Sequence, residues 1–150
     1  MDRLGLTGGL RCGGDSAFYV PSTDAIHVPA VEAFGSVDAF RASVLHEAGH
    51  ATGHRDRLAR DFSGRFGDES YAFEELVAEL ASAFTQAALG LRADIENHAS
   101  YIDNWQRVLT RDSRAFVKGC TLAQQAADLL LAAHAADKGE EQTQPLQRAA

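Results

Sequence analysis

The sequence predicts an α+β fold, a small antiparallel β-sheet packed on several helices, and three observations predict it. Two short runs rich in aromatic and β-branched residues, SAFYV at 16–20 and AIHVP at 25–29, flank a turn-forming PSTD. Apolar residues then recur at helical spacing through two long segments, 36–52 and 71–89, each followed by a glycine. Finally, 45% of the 150 residues are apolar, enough for one domain with a packed core.

Residues 1–14 are glycine-rich and unpatterned and read as a loose leader. The two apolar runs make a hairpin, with Pro29 ending the second strand or placing it at an edge. Ser36 is a good N-cap, and Asp38 sits in the first turn, where the helix dipole favours an anion. Phe40, Val44, Leu45 and Ala48 give the helix that follows an apolar stripe, and Gly53 is its C-cap candidate. Charged residues with Gly64 and Gly67 make 54–68 a connecting loop. In the second helix Phe73, Leu76, Val77, Leu80 and Phe84 form a broad buried face. A third helix is expected over 97–109 and a fourth over 112–136. The domain then spans 15–136, and a polar tail occupies 137–150.

A net charge of −7 argues against a nonspecific nucleic-acid clamp, so DNA binding by this domain alone is not expected. Cys12 and Cys120 have no C-x-x-C neighbour, which excludes a thiolate zinc knuckle and a thioredoxin-like motif and fits a reducing compartment. The N-terminal MDRLGLTGGLRCGG lacks the apolar run of a signal peptide. The most apolar stretch, 129–136, contains His134 and is too short to span a bilayer. A cytoplasmic protein without membrane contact is expected.

The chemistry concentrates in LHEAGHATG, which places His46, Glu47 and His50 in the order H-E-x-x-H. A helix turns about 100° per residue, so His46 and His50 share a face and can aim ring nitrogens at one ion. Glu47 can then take a proton from a water beside a Zn²⁺ ion. Chance produces this spacing often enough that context must decide, and the context is a capped helix with an apolar opposite face.

Two histidines leave a catalytic zinc one protein ligand short. His54 comes after the helix-ending Gly53, and the longer spacing that would recruit a third histidine is absent. The second helix, FEELVAEL, carries Glu74, Glu75 and Glu79 beside Leu76, Leu80 and Phe84. Carboxylates on such a face are costly without a partner, and a metal is one. Glu75 is the leading third ligand, with His54 and Glu74 as alternatives. Glu79, one turn further, is placed to accept the N–H of a ligand histidine.

An H-E-x-x-H helix followed by an E-x-x-x-E helix is similar to the gluzincin metallopeptidases, typified by thermolysin. Their second helix carries the ligand glutamate and, four residues on, an acidic residue that orients a ligand histidine; Glu75 and Glu79 match that pair. A wider resemblance covers about residues 14–132. AFYVPSTDAIHVP, then F-x-x-x-x-x-F, LHEAGHATGHRDRLAR, YAFEELVAELASAF and HASYIDNWQRVLTRD resemble the C-terminal metallopeptidase domain of the ArdC antirestriction family. Ala51 stands where that family often has a tryptophan. The resemblance implies a zincin-like fold and a zinc-dependent peptidase with a peptide or protein substrate. It also implies a mobile-element setting with restriction or DNA-transfer proteins as partners, in a family whose members usually carry an N-terminal single-stranded-DNA-binding domain.

His98, Tyr101 and Tyr71 are candidates to stabilise the oxyanion of a tetrahedral intermediate, His98 first because it begins an expected helix. Arg57 and Arg60 either bind substrate carboxylates or pair with the acidic surface, the second being the simpler reading. Tyr101, Ile102, Trp105 and Val108 read as an apolar packing face, and His27 and His134 lack ligand-spaced companions. The strand edge near 26–29 could hold an extended peptide. The leading reading is a zinc peptidase with ligands His46, His50 and Glu75, base Glu47, orienting residue Glu79 and oxyanion donor His98. The alternative is a catalytically silent, metal-stabilised module that acts by contact.

Overall fold

The structure, a computed structural model, describes residues 4–61, 69–91 and 113–141. Its sheet has three strands, β1 (Gly9–Cys12), β2 (Phe18–Val20) and β3 (Ala25–Val28), in the order β1-β3-β2. The hairpin is as expected: β2 and β3 pair antiparallel, with Tyr19 opposite Ile26. Its turn closes on hydrogen bonds from Thr23 N to Val20 O and from Asp24 N to Pro21 O, both 3.3 Å. Asp24 takes a φ of 47°, a left-handed conformation that aspartate adopts more readily than most residues.

β1 pairs parallel with β3, Gly9 opposite Ala25 and Cys12 opposite Val28. The sheet is therefore mixed, where an antiparallel one was expected, and residues 9–12 of the supposed loose leader belong to it. Leu4, also in that leader, is buried in the core. The reason is physical. β1 is an edge strand held by backbone pairing, and its side chains are mostly exposed, so it carries no alternating apolar signal. Gly8 just before it is required by close approach, since a Cβ there would stand 2.4 Å from the carbonyl oxygen of Thr23.

Among the described residues three α-helices follow: α1 (Val37–Thr52), α2 (Glu69–Ala88) and α3 (Ser113–Glu141). Ser36 caps α1 by accepting the Ala39 N–H at 3.0 Å, and Gly53 closes it. α2 stops at Gly90, whose φ of 66° lets Gly90 N and Leu91 N return to the carbonyls of Ala87 and Gln86. α3 corresponds to the expected fourth helix, and the helix expected over 97–109 lies outside the described residues. Among the described residues no helix is long and apolar enough to cross a membrane.

The core has two parts. Ile26 and Val28 of β3 meet Val44, Ala48 and Ala51 of α1, with Leu4 and with Leu130 of α3. Leu76, Val77, Leu80 and Ala81 of α2 meet Ala123 and Ala126 of α3. Each buried leucine, isoleucine or valine contributes about 2 kcal/mol. α1 thus packs on the sheet and on α2, and α3 touches both helices. Where α1 meets α2 the backbones nearly touch: a Cβ on Gly49 would lie 2.9 Å from the carbonyl oxygen of Ala78. That approach brings the turn His46–Glu47–His50 within side-chain reach of Glu74, Glu75 and Glu79.

Candidate metal centre

The two histidines of α1 stand one turn apart with ring centroids 4.8 Å from each other and planes at 85°. Their Nε2 atoms converge on one carboxylate of α2. His46 Nε2 lies 3.6 Å from Glu75 Oε2, and His50 Nε2 lies 3.4 Å from Glu75 Oε1. One ligand atom from each of the three residues can be chosen so that all lie within 4.8 Å of one another. Ligand atoms around a tetrahedral zinc, each about 2 Å from the ion, stand about 3.3 Å apart. The spacing and the donor chemistry, two imidazoles and a carboxylate, therefore fit a divalent ion such as zinc.

The outward nitrogens are held as well. His46 Nδ1 is 2.9 Å from Glu79 Oε2, and His50 Nδ1 is 3.2 Å from Glu74 Oε1. A carboxylate can only accept, so each Nδ1 donates its proton outward, and the Nε2 lone pair is the one that would face a bound ion. Burial alone would depress the basicity of His46, but its hydrogen bonds to Glu75 and Glu79 outweigh that and push its pKa up to about 10. In the metal-free protein His46 is therefore charged at neutral pH, and a ligating metal displaces that proton. Burial likewise opposes ionisation of Glu75, yet His46 and His50 hold it well below the usual carboxylate range. Glu47 behaves differently. Burial raises its pKa, His46 and His50 oppose the rise, and the backbone of Tyr19 supplies a hydrogen bond. A buried carboxyl with raised proton affinity suits a general base.

Two arginines from the segment after α1 pair with buried acids, and one of them, Arg60, reaches this arrangement. Arg60 reaches Glu74 from Nε at 2.9 Å and from Nη2 at 2.8 Å, and also donates to the carbonyl of Gly49 and to Thr52 Oγ1. Arg57 donates to both oxygens of Asp24, to the Tyr19 hydroxyl and to the carbonyl of Ala51. Both guanidinium groups pair with buried acids, so the structure sets aside the substrate-binding reading of Arg57 and Arg60.

A model of the zincin-like metallopeptidases matches residues 6–121. The chain belongs to this family. Its zincin-like fold is also that of the antirestriction protein ArdC of plasmid R388, solved with Mn(II) and metal-free. The Mn(II)-bound structure matches with a TM-score of 0.72 and 42% identity over 88% of this chain and 51% of ArdC. The metal-free structure gives a TM-score of 0.72 with 43% identity. Protein y4eC of Sinorhizobium fredii is 45% identical over 79% of this chain, and DNA primase TraC of Escherichia coli is 42% identical over 87% of it. The chain spans 39% of y4eC and 12% of TraC, a fraction of each relative's length.

Within this zincin-like domain the structure brings together five of the residues singled out in the sequence: His46, Glu47, His50, Glu75 and Glu79. His98, Tyr101 and Trp105 lie outside the described residues. His54, an alternative ligand, is not in the group formed by His46, His50 and Glu75, and its Nδ1 accepts the Asp56 N–H at 3.3 Å. Glu74, the other alternative, stands at the outward nitrogen of His50 and not beside the two Nε2 atoms. Its contact with His50 and the grip of Arg60 on it are not evident in the sequence. The available signal is that Glu74 precedes the ligand candidate on a partly apolar helix and needs a counter-charge. His27 stacks on Phe18 with ring centroids 4.8 Å apart, as a packing residue.

Proposed function

We propose that the domain is a zinc-dependent peptide hydrolase in a setting like that of ArdC, acting in the cytoplasm on a peptide or protein. Restriction or DNA-transfer proteins are the partners of this reading, the first in keeping with the antirestriction name of ArdC. The observation that carries this reading is the split use of the histidines. Each Nδ1 meets its own buried carboxylate, while both Nε2 atoms face Glu75, with the Glu47 carboxyl beside them in sequence.

In this reading His46, His50 and Glu75 hold the ion. When bound, zinc would supply Lewis acidity, making a water acidic and polarising the peptide carbonyl. Glu47 takes the proton of the attacking water on its carboxylate and returns it to the departing amine. Glu79 and Glu74 keep the protons on Nδ1 of His46 and His50, so the ring orientations do not drift. His98 is proposed as hydrogen-bond donor to the developing oxyanion. Removal of metal with a chelator should abolish cleavage of an unstructured protein substrate such as casein, and added Zn²⁺ should restore it. Cleavage that survives complete chelation rules this reading out.

A further inference from the structure

We infer that Arg60 is a positioning residue for the metal centre, acting through Glu74 to fix the ring of His50. The inference rests on reading His46, His50 and Glu75 as the ligands.

The contacts form a closed loop. His50 on α1 meets Glu74 on α2 at 3.2 Å, Glu74 meets Arg60 at 2.8 Å and 2.9 Å, and Arg60 Nη2 returns to the carbonyl of Gly49, the neighbour of His50, at 2.7 Å. Thr52 Oγ1 closes the α1 side, accepting from Arg60 Nη1 at 2.8 Å and donating to the Gly49 carbonyl at 2.6 Å. The same oxygen, Glu74 Oε1, faces both His50 Nδ1 and Arg60 Nη2. Any movement of the guanidinium therefore moves the acceptor that sets the His50 ring.

The loop is buried, with 5% of the Arg60 side chain and 9% of the Glu74 side chain exposed. Glu74 would be costly there as an unpaired anion. Arg60 supplies the opposite charge and two donors to that carboxylate, which still accepts from His50. Lysine could not substitute. Its single ammonium cannot span both Glu74 oxygens, the Gly49 carbonyl and Thr52 together, which the planar fork of arginine does.

Arg57 provides the control. It is another buried arginine on the same segment, 9% exposed at its side chain, and it also binds an α1 carbonyl, but its acid is Asp24 in the hairpin turn. The test is titration of the metal-free full chain with Co²⁺, following the visible absorption bands that report ligand geometry, with melting curves alongside. Arg60→Lys and Glu74→Gln should each bind Co²⁺ about ten-fold more weakly with altered bands. The double variant should bind no more weakly than Glu74→Gln alone, because Arg60 acts through that carboxylate. Arg57→Lys should melt earlier yet bind as the wild type does. Unchanged affinity and bands in Arg60→Lys, or in Glu74→Gln should Arg60→Lys fail to fold, overturn the inference while leaving the ligand assignment standing. A wild-type protein that binds no Co²⁺ overturns both.

Discussion

Glu47→Gln is expected to lower peptide hydrolysis by about 10²- to 10⁴-fold at unchanged metal content. Glutamine keeps the volume of the side chain and an oxygen that can accept the Tyr19 backbone hydrogen bond. It cannot take a proton at neutral pH. Glu47 is also 7% exposed, so bulk water is poorly placed to replace it as base. The substitution leaves the two Nε2 atoms and Glu75 untouched, which separates catalysis from metal binding. The check is a turnover rate measured on protein whose zinc content has been determined in the same sample. A metal-loaded variant that cleaves at the wild-type rate removes Glu47 from the mechanism. Protection against restriction retained in full by that variant would point instead to a module acting by contact.

The second large effect is on stability. Asp24→Asn should destabilise the fold by about 3–5 kcal/mol, the usual consequence of removing one partner from a buried ion pair. Only 5% of the Asp24 side chain and 9% of that of Arg57 are exposed. Asp24 also accepts from the Tyr19 hydroxyl at 2.7 Å and from the Thr7 N–H at 3.1 Å, joining the hairpin, the residues leading into β1 and the segment after α1. Asparagine tolerates the left-handed backbone at this position, so the change tests the charge and not the turn. The pH dependence follows. Burial opposes ionisation of Asp24, but Arg57, Tyr19 and Thr7 together hold its carboxyl well below the usual range. A depressed pKa in the fold gives stability that is present above the unfolded value, about 3.9, and is lost as pH falls through the folded value. The gap between wild type and Asp24→Asn, measured by urea unfolding, should be full at pH 7 and shrink below about pH 4. Equal stability at pH 7 would contradict the role given to this pair.

The two helices that carry the site are legible in the sequence because both of their signals are local. A serine caps the first and glycines end both, while apolar spacing marks the buried side of each. The pairing of Glu75 with two histidines 25 or more residues away is legible only because helical geometry restricts which carboxylates share a face. Glu74 shows where that reasoning stops. Its neighbours in sequence do not reveal whether it turns toward the ion or toward the outer nitrogen of His50, since that depends on how closely Gly49 lets the helices approach. Arg57 and Arg60 sit in a charged stretch that looks solvated, and only the tertiary fold places buried acids against them. β1 stayed hidden for a related reason: an edge strand held through its backbone leaves almost no pattern in its side chains.

Metal content tests the central claim most directly. Full chain incubated with Zn²⁺, passed through a desalting column and subjected to elemental analysis should retain one equivalent. His46→Ala and Glu75→Ala should lose it, and His54→Ala should keep it. A wild-type chain that retains no stoichiometric metal, or a folded Glu75→Ala that retains a full equivalent, would contradict the assignment of His46, His50 and Glu75 as the ligands.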